Sequence, residues 1–227
     1  MKAKTEIRLQ PNLTLLFQGD SITDVGRDRL DFEPNSLPAL GSSYAALVSR
    51  KLLERFPDHH LQCYNRGVSG DGIEDLRRRW KTDTLPLLPD WISILIGVND
   101  CWRYSSGVGG NSSKDFHASF RRLLEKTQND LPFARIILCE PFLLPVGLVE
   151  PEWIADLEER QQAVRSLAGE FEVPLVPFQS TLDQAASQYP PGQLLEDGVH
   201  PTSLGHQLLA DCWLETLGFI TPGALME

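Results

Sequence analysis

Apolar runs of strand length recur along the chain, and each leads into a stretch whose apolar residues are spaced for a helix. The run LTLLFQ at 13–18 precedes 43–56, where Ala46, Leu47, Leu52 and Leu53 share one helix face. Runs at 61–67 (LQCYNRG), 91–97 (WISILIG), 134–142 (ARIILCEPF) and 173–178 (VPLVPF) follow the same rule. Their helical partners lie at 72–80, 113–128, 152–171 and 202–219, the last after a short helical stretch near 180–187. Five strands alternating with helices predict an α/β fold, a parallel sheet between two helix layers. Near-continuous apolar strands suit a sheet buried on both faces. Right-handed crossovers put every strand's C-terminal end on one edge, where such folds bind ligands. The segments 26–42 and 101–113, rich in Gly, Pro, Ser and Asn, read as loops long enough to face a substrate. No internal repeat or low-complexity linker interrupts the pattern, so residues 1–227 read as a single domain.

The predicted strand ends carry the chemistry. The first strand opens onto Gly19-Asp20-Ser21, with Thr23, Asp24 and Gly26 close behind. An ordinary strand-to-helix turn has the same composition, and a lone serine is a weak nucleophile without a base. The second strand ends in NRGVSGDG (65–72), the third in GVNDCWR (97–103), and the fifth, after its short helix, in EDGVHPTS (196–203). Each cluster supplies a different part. Ser21 offers a hydroxyl at a helix start, where backbone N–H groups favour an anion. Gly67, lacking a side chain, lets its N–H approach a reacting centre. Asn99 offers a neutral amide donor. The N–H groups of Ser21 and Gly67 with the Asn99 amide make an oxyanion hole. Asp197, three residues before His200, can reach back to its ring across the bend at Gly198, so His200 is the candidate base and Asp197 the residue that orients it. Ser69, the rival nucleophile, is not in a G-x-S-x-G setting.

Composition narrows the partner. A formal net charge of −10 argues against nucleic acid or an anionic membrane as partner, since both need a basic footprint. It leaves a small-molecule or oligosaccharide ester open. The cysteines at 63, 101, 139 and 212 contain no CxxC pair, which suits reduced, buried thiols in a cytoplasmic protein. The charged N-terminus lacks the apolar core of a secretory signal, and no run reaches membrane-spanning length. The histidines at 59, 60, 117 and 206 and the cysteines lack metal-ligand spacing, so no metal or cofactor is expected. Trp102 and Arg103 follow the Asn99 block directly and are expected, with Asp20, at the substrate. Asp20, Asp24 and Arg27 are expected to brace the nucleophile loop. Arg77-Arg78-Arg79 reads as a solvated helix face. The aromatic tail around Trp213 and Phe219 suits either the core or the interface of a homo-oligomer.

GDSIT, the glycine of NRGVSG, GVND and DGVHP together resemble the four blocks of the SGNH, or GDSL-type, hydrolases. The resemblance runs from Phe17 to about Leu217. It implies a flavodoxin-like three-layer α/β/α sandwich, with Ser21 as nucleophile, Gly67 and Asn99 as oxyanion donors, and His200 and Asp197 completing a triad. GDSITDVGR, GVNDCWR and DGVHPTSLGHQLLA resemble most the bacterial intracellular acetyl-xylan esterase branch, which implies removal of acetyl groups from short xylo-oligosaccharides through an acyl-enzyme. Thioesterases, lysophospholipases and arylesterases share the same blocks, and a non-catalytic carbohydrate-binding or assembly protein on this scaffold is the alternative of another class.

Overall fold

Side chains alternate across the central strands, and the two apolar faces they make dictate where the helices lie. The structure, a computed structural model, describes residues 9–220. The charged start that underlies the expectation of no leader lies largely outside those residues. The strands are β1 (Thr14–Gly19), β2 (Gln62–Asn65), β3 (Trp91–Leu95), β4 (Arg135–Cys139) and β5 (Leu175–Val176). They form one parallel sheet in the order β2-β1-β3-β4-β5.

The helices are α1 (Ser21–Asp24), α2 (Leu37–Leu40), α3 (Tyr44–Arg55), α4 (Ile73–Asp83) and α5 (Val98–Ser105). They continue as α6 (Ser113–Asp130), α7 (Pro151–Glu170), α8 (Phe178–Ala186), α9 (Pro191–Leu194) and α10 (Ser203–Thr216). Leu15, Phe17 and Ile137 meet Tyr44 and Val48 of α3, Phe178 of α8 and Trp213 of α10 on one face. Ile92, Ile94 and Leu138 meet Trp80 of α4, Phe120 of α6 and Val164 of α7 on the other. Each fully buried Leu, Ile or Phe contributes roughly 1.5–3 kcal/mol, so these two layers supply most of the driving force. Trp213 and Phe219 are buried and stack on each other, which places the aromatic tail in the core. The Trp213 indole N–H donates to Ser93 Oγ at 3.0 Å and so is not left unpaired.

This is the flavodoxin-like strand order, and its switch point lies between β1 and β3. From β1 the chain turns to one side for β2, then crosses to the other for β3. Gly19 and Leu95 are neighbours in register there, so whatever follows β1 and β3 emerges side by side.

Three expectations are corrected. The supposed loop 101–113 begins as helix α5, which carries Asn99, Trp102 and Arg103. Its amphipathic pattern is only two turns long and its Gly/Ser-rich sequel masked it. The fifth strand shrinks to two residues because Pro174 and Pro177 flank it and proline cannot donate to a ladder. Arg79 does not face solvent with Arg78. It turns inward to donate to Gly19 O, Arg66 O, Gln18 Oε1 and Asp71 Oδ2. Among the described residues, no helix is long and apolar enough to cross a membrane.

Candidate active site

Ser21 is the first residue of α1, directly past the end of β1. Asp20 caps that turn by accepting from Ile22 N–H at 3.0 Å. Ser21 Oγ lies 2.9 Å from His200 Nε2, although 179 positions separate them. His200 Nδ1 lies 2.7 Å from Asp197 Oδ2. The other oxygen, Asp197 Oδ1, accepts from the N–H groups of Val199 (2.9 Å) and His200 (2.8 Å). Partial burial pushes the Asp197 carboxyl up, but the backbone and ring N–H groups of His200 and the N–H of Val199 outweigh it. They hold the group below its ordinary range.

The segment after β4 clamps this turn. Leu144 N–H donates to Gly198 O and Leu148 N–H to Asp197 O, both at 2.9 Å. Gly198 has φ +91°, and a Cβ there would lie 2.2 Å from Val146 O. Only glycine fits such a bend at such an approach.

The expected donor Gly67 is a correction. It is buried, and its N–H is spent on Asn65 Oδ1 at 2.9 Å. A Cβ on it would lie 2.7–2.9 Å from the backbone of Asp24 and Thr23, so this glycine serves packing. The open donor is Gly70, three residues on. It is exposed, has φ +86°, and its N–H donates to no group among the described residues. The turn that carries it is tied to the residues on either side of Ser21. Val68 N–H donates to Gly19 O (3.0 Å) and Ser69 N–H to Asp24 Oδ2 (3.0 Å). Asn99 reaches the same turn, its amide donating to Asp71 O at 3.0 Å. NRGVSG contains both glycines; the turn residues Ser69-Gly70 were the signal that favoured the second.

Residues 17–208 match the family of GDSL-like lipases and acylhydrolases. The chain belongs to that family. This GDSL-type chain is accordingly a serine hydrolase of carboxylic esters. It is 34% identical over 210 residues to the acetylxylan esterase of Geobacillus stearothermophilus, covering 90% of this chain and 94% of that protein. The solved structure of that organism's acetylxylan esterase Axe2 superposes with a TM-score of 0.85 at 32% identity, over 94% of this chain and 98% of that one. A GDSL-like lipase structure from Parabacteroides merdae gives a TM-score of 0.92 at 39% identity, over 95% and 100% of the two chains. Structures of Axe2 catalytic mutants replace a serine, an aspartate and a histidine by alanine.

Around the pair in this GDSL-type chain, Asp24 is the hub of the brace. It takes Arg27 Nε at 3.2 Å, the guanidinium of Arg29 and the N–H of Ser69. Arg27 also donates to Gly67 O at 2.8 Å. An open hollow of about 400 Å³ passes over Ser21 and His200, walled by Asp24, Arg27, Arg29 and Ser69. Ser69 has no histidine bonded to it. A larger hollow, about 520 Å³, opens at the far end of β4 beside Arg135 and Glu172, and neither serine nor histidine lines it among the described residues.

Two expected substrate contacts are corrected. Arg103 is engaged by Asp75 Oδ2 (2.8 Å) and Gly70 O (2.6 Å), so it supports the turn. Asp20 is fully buried beneath Ser21 and can touch no substrate. Trp102 is exposed but does not wall the hollow. His206 is buried, accepts from Tyr44 N–H at 3.1 Å, and is pushed down to about 4 by burial and by His200, a packing role as a neutral ring.

Burial pushes Asp20 up to about 7, against the N–H of Ile22 and the charge of His200. The folded chain therefore keeps a proton that the unfolded chain releases above its ordinary value of 3.8. The stability this gives is full below about pH 4 and is lost as pH rises through about 7. Asn at position 20 keeps a capping oxygen but cannot ionise. Asp20→Asn is thus expected to raise Tm over wild type at about pH 8, with the gain shrinking towards pH 5. Calorimetry across that range checks it, and a gain independent of pH contradicts the assignment.

Proposed function

We propose that the chain is a serine esterase that removes small acyl groups, acetyl foremost, from carbohydrate such as xylo-oligosaccharides. The observation that carries the reading is the unbroken path from Ser21 Oγ through the His200 ring to Asp197 Oδ2, at 2.9 and 2.7 Å. Ser21 Oγ attacks the ester carbonyl while His200 Nε2 takes its proton. Asp197 fixes the tautomer and stabilises the imidazolium. The N–H groups of Ser21 and Gly70 and the Asn99 amide receive the oxyanion. One such donor is worth roughly 2.7–4 kcal/mol of barrier. His200 returns the proton to the departing sugar oxygen. It then deprotonates a water that attacks the acyl-enzyme and releases the acid.

Two further observations support the substrate class. A relative 34% identical to this chain is an acetylxylan esterase. Among the described residues lining the hollow over Ser21, Val25 is the one with an apolar side chain, which suits a short acyl group and a hydroxyl-rich alcohol better than a long acyl chain. On this reading the chain is one cytoplasmic domain, alone or as a homo-oligomer. Neither nucleic acid nor membrane is a partner; the net charge of −10 supports that.

The test is a comparison of acetylated xylo-oligosaccharides with acyl-CoA, lysophosphatidylcholine and aryl acetates. The acetylated sugars are expected to have the highest kcat/KM, above the long-chain substrates by at least about tenfold. A preference for the thioester or the lysophospholipid overturns the carbohydrate reading. No hydrolysis of any of them overturns the esterase reading as well.

A further inference from the structure

Beneath the oxyanion donors lies a carboxylate that takes no part in the proton transfers. Asp100 follows Asn99 in α5 and is buried. Both its oxygens accept from Ile73 N–H, at 2.9 and 3.2 Å. Ile73 is the first residue of α4, so its N–H has no acceptor inside the helix. The carboxylate supplies one and lies at the positive end of the α4 dipole. The contact is close, since a Cβ on Gly72 would lie 2.8–3.0 Å from the Asp100 carboxylate.

The neighbours of Asp100 in α5 grip the same turn. Asn99 holds Asp71 O and Arg103 holds Gly70 O, at 3.0 and 2.6 Å. The turn itself is closed by Asp71 N–H donating to Val68 O at 3.1 Å. One donor, the Asn99 amide, therefore rides on α5, and the other, the Gly70 N–H, rides on the turn before α4. What sets their separation is the seam between these elements. Asp100 is the buried anion in that seam, and hydrogen bonds to ionised acceptors are roughly twice as strong as neutral ones.

We infer that Asp100 is a positioning residue for ester hydrolysis: it clamps the start of α4 to α5 and so holds the Asn99 amide and the Gly70 N–H around one oxyanion. The inference rests on the esterase reading above. Asp100 touches no reacting atom. Its loss acts on donors that engage fully only as charge develops, so it falls on kcat and spares KM.

The experiment measures kcat and KM on p-nitrophenyl acetate for wild type, Asp100→Ala, Asp100→Asn, Asn99→Ala and the double variant Asp100→Ala/Asn99→Ala. Asp100→Ala is expected to lower kcat about 30-fold or more with KM within about threefold. Asp100→Asn, whose amide oxygen still accepts from Ile73, is expected to return to within about fivefold of wild type. The double variant is expected to lose less than the product of the two single losses, because Asn99, one of the two donors that Asp100 holds, is already gone. Multiplying losses, or a wild-type kcat in Asp100→Ala, overturns the inference. If Asp100→Ala does not fold, Gly72→Ala replaces it. That variant keeps the carboxylate but forces it off Ile73, and it is expected to show the same kcat loss; an unchanged kcat overturns the inference equally. An inactive wild type sinks the esterase reading and this inference together. An active wild type indifferent to position 100 sinks this inference only.

Discussion

Ser21→Ala is expected to lower kcat on an acetyl ester by on the order of 10⁵–10⁶-fold and to leave the fold intact. The substitution removes the oxygen that lies 2.9 Å from His200 Nε2. Without it the base can only activate water, and the oxyanion donors alone retain a residual acceleration on the order of 10³–10⁴. Ser69 lies in the same hollow but has no histidine bonded to it, so it does not substitute. Stability is expected to change little, because the lost hydrogen bond is only partly buried and such bonds contribute about 1 kcal/mol. Steady-state kinetics with a thermal melt on the same sample checks both halves. A variant that keeps more than about 1% of the rate shows that Ser21 is not the nucleophile.

Asp197→Asn is expected to lower kcat by about 10⁴-fold, and the cause is the tautomer of the histidine. In the wild type Asp197 Oδ2 meets His200 Nδ1, while Oδ1 takes the N–H groups of Val199 and His200. An asparagine keeps its oxygen on the two backbone donors and turns its NH₂ towards Nδ1. The ring then carries its proton on Nε2, facing Ser21, and cannot accept another there. The geometry survives and the base does not. The wild-type pH profile carries a matching sign. His200 must be neutral to act, so kcat/KM falls on acidification, while Asp197, held below its ordinary range, stays ionised throughout that fall. The acid limb is therefore expected to follow one proton. A two-proton limb that persists in Asp20→Asn contradicts the assignment of Asp197.

Much of the architecture was legible because buried parallel strands leave a simple trace. The run at 91–97 contains β3 and the run at 13–18 covers all of β1 but Gly19, and their side chains alternate into two apolar layers. Ser21, Asn99, Asp197 and His200 were legible because strand ends must converge on one edge. What escaped depends on contacts between distant segments. Gly67 and Gly70 are three residues apart in one motif, and only Asn65 claiming the N–H of Gly67 separates their roles. In sequence Arg79 looks like a surface charge and Asp20 like a substrate contact. Their burial comes from the backs of β1 and β2 and from the fit of α1 beneath His200. Helix α5 hid behind the glycines and serines that follow it, and with it the true partners of Arg103.

The central claim is that acyl groups pass through Ser21. Rapid acid quench of wild type mixed with excess p-nitrophenyl acetate, followed by peptide mass spectrometry, tests it most directly. One acetyl group per chain on the Ser21 peptide, absent from Ser21→Ala and accumulating in His200→Ala no faster than in buffer-treated controls, is the predicted result. Turnover with the acetyl on another residue, Ser69 included, or with no acyl-enzyme under conditions that trap one on a control serine esterase, contradicts it.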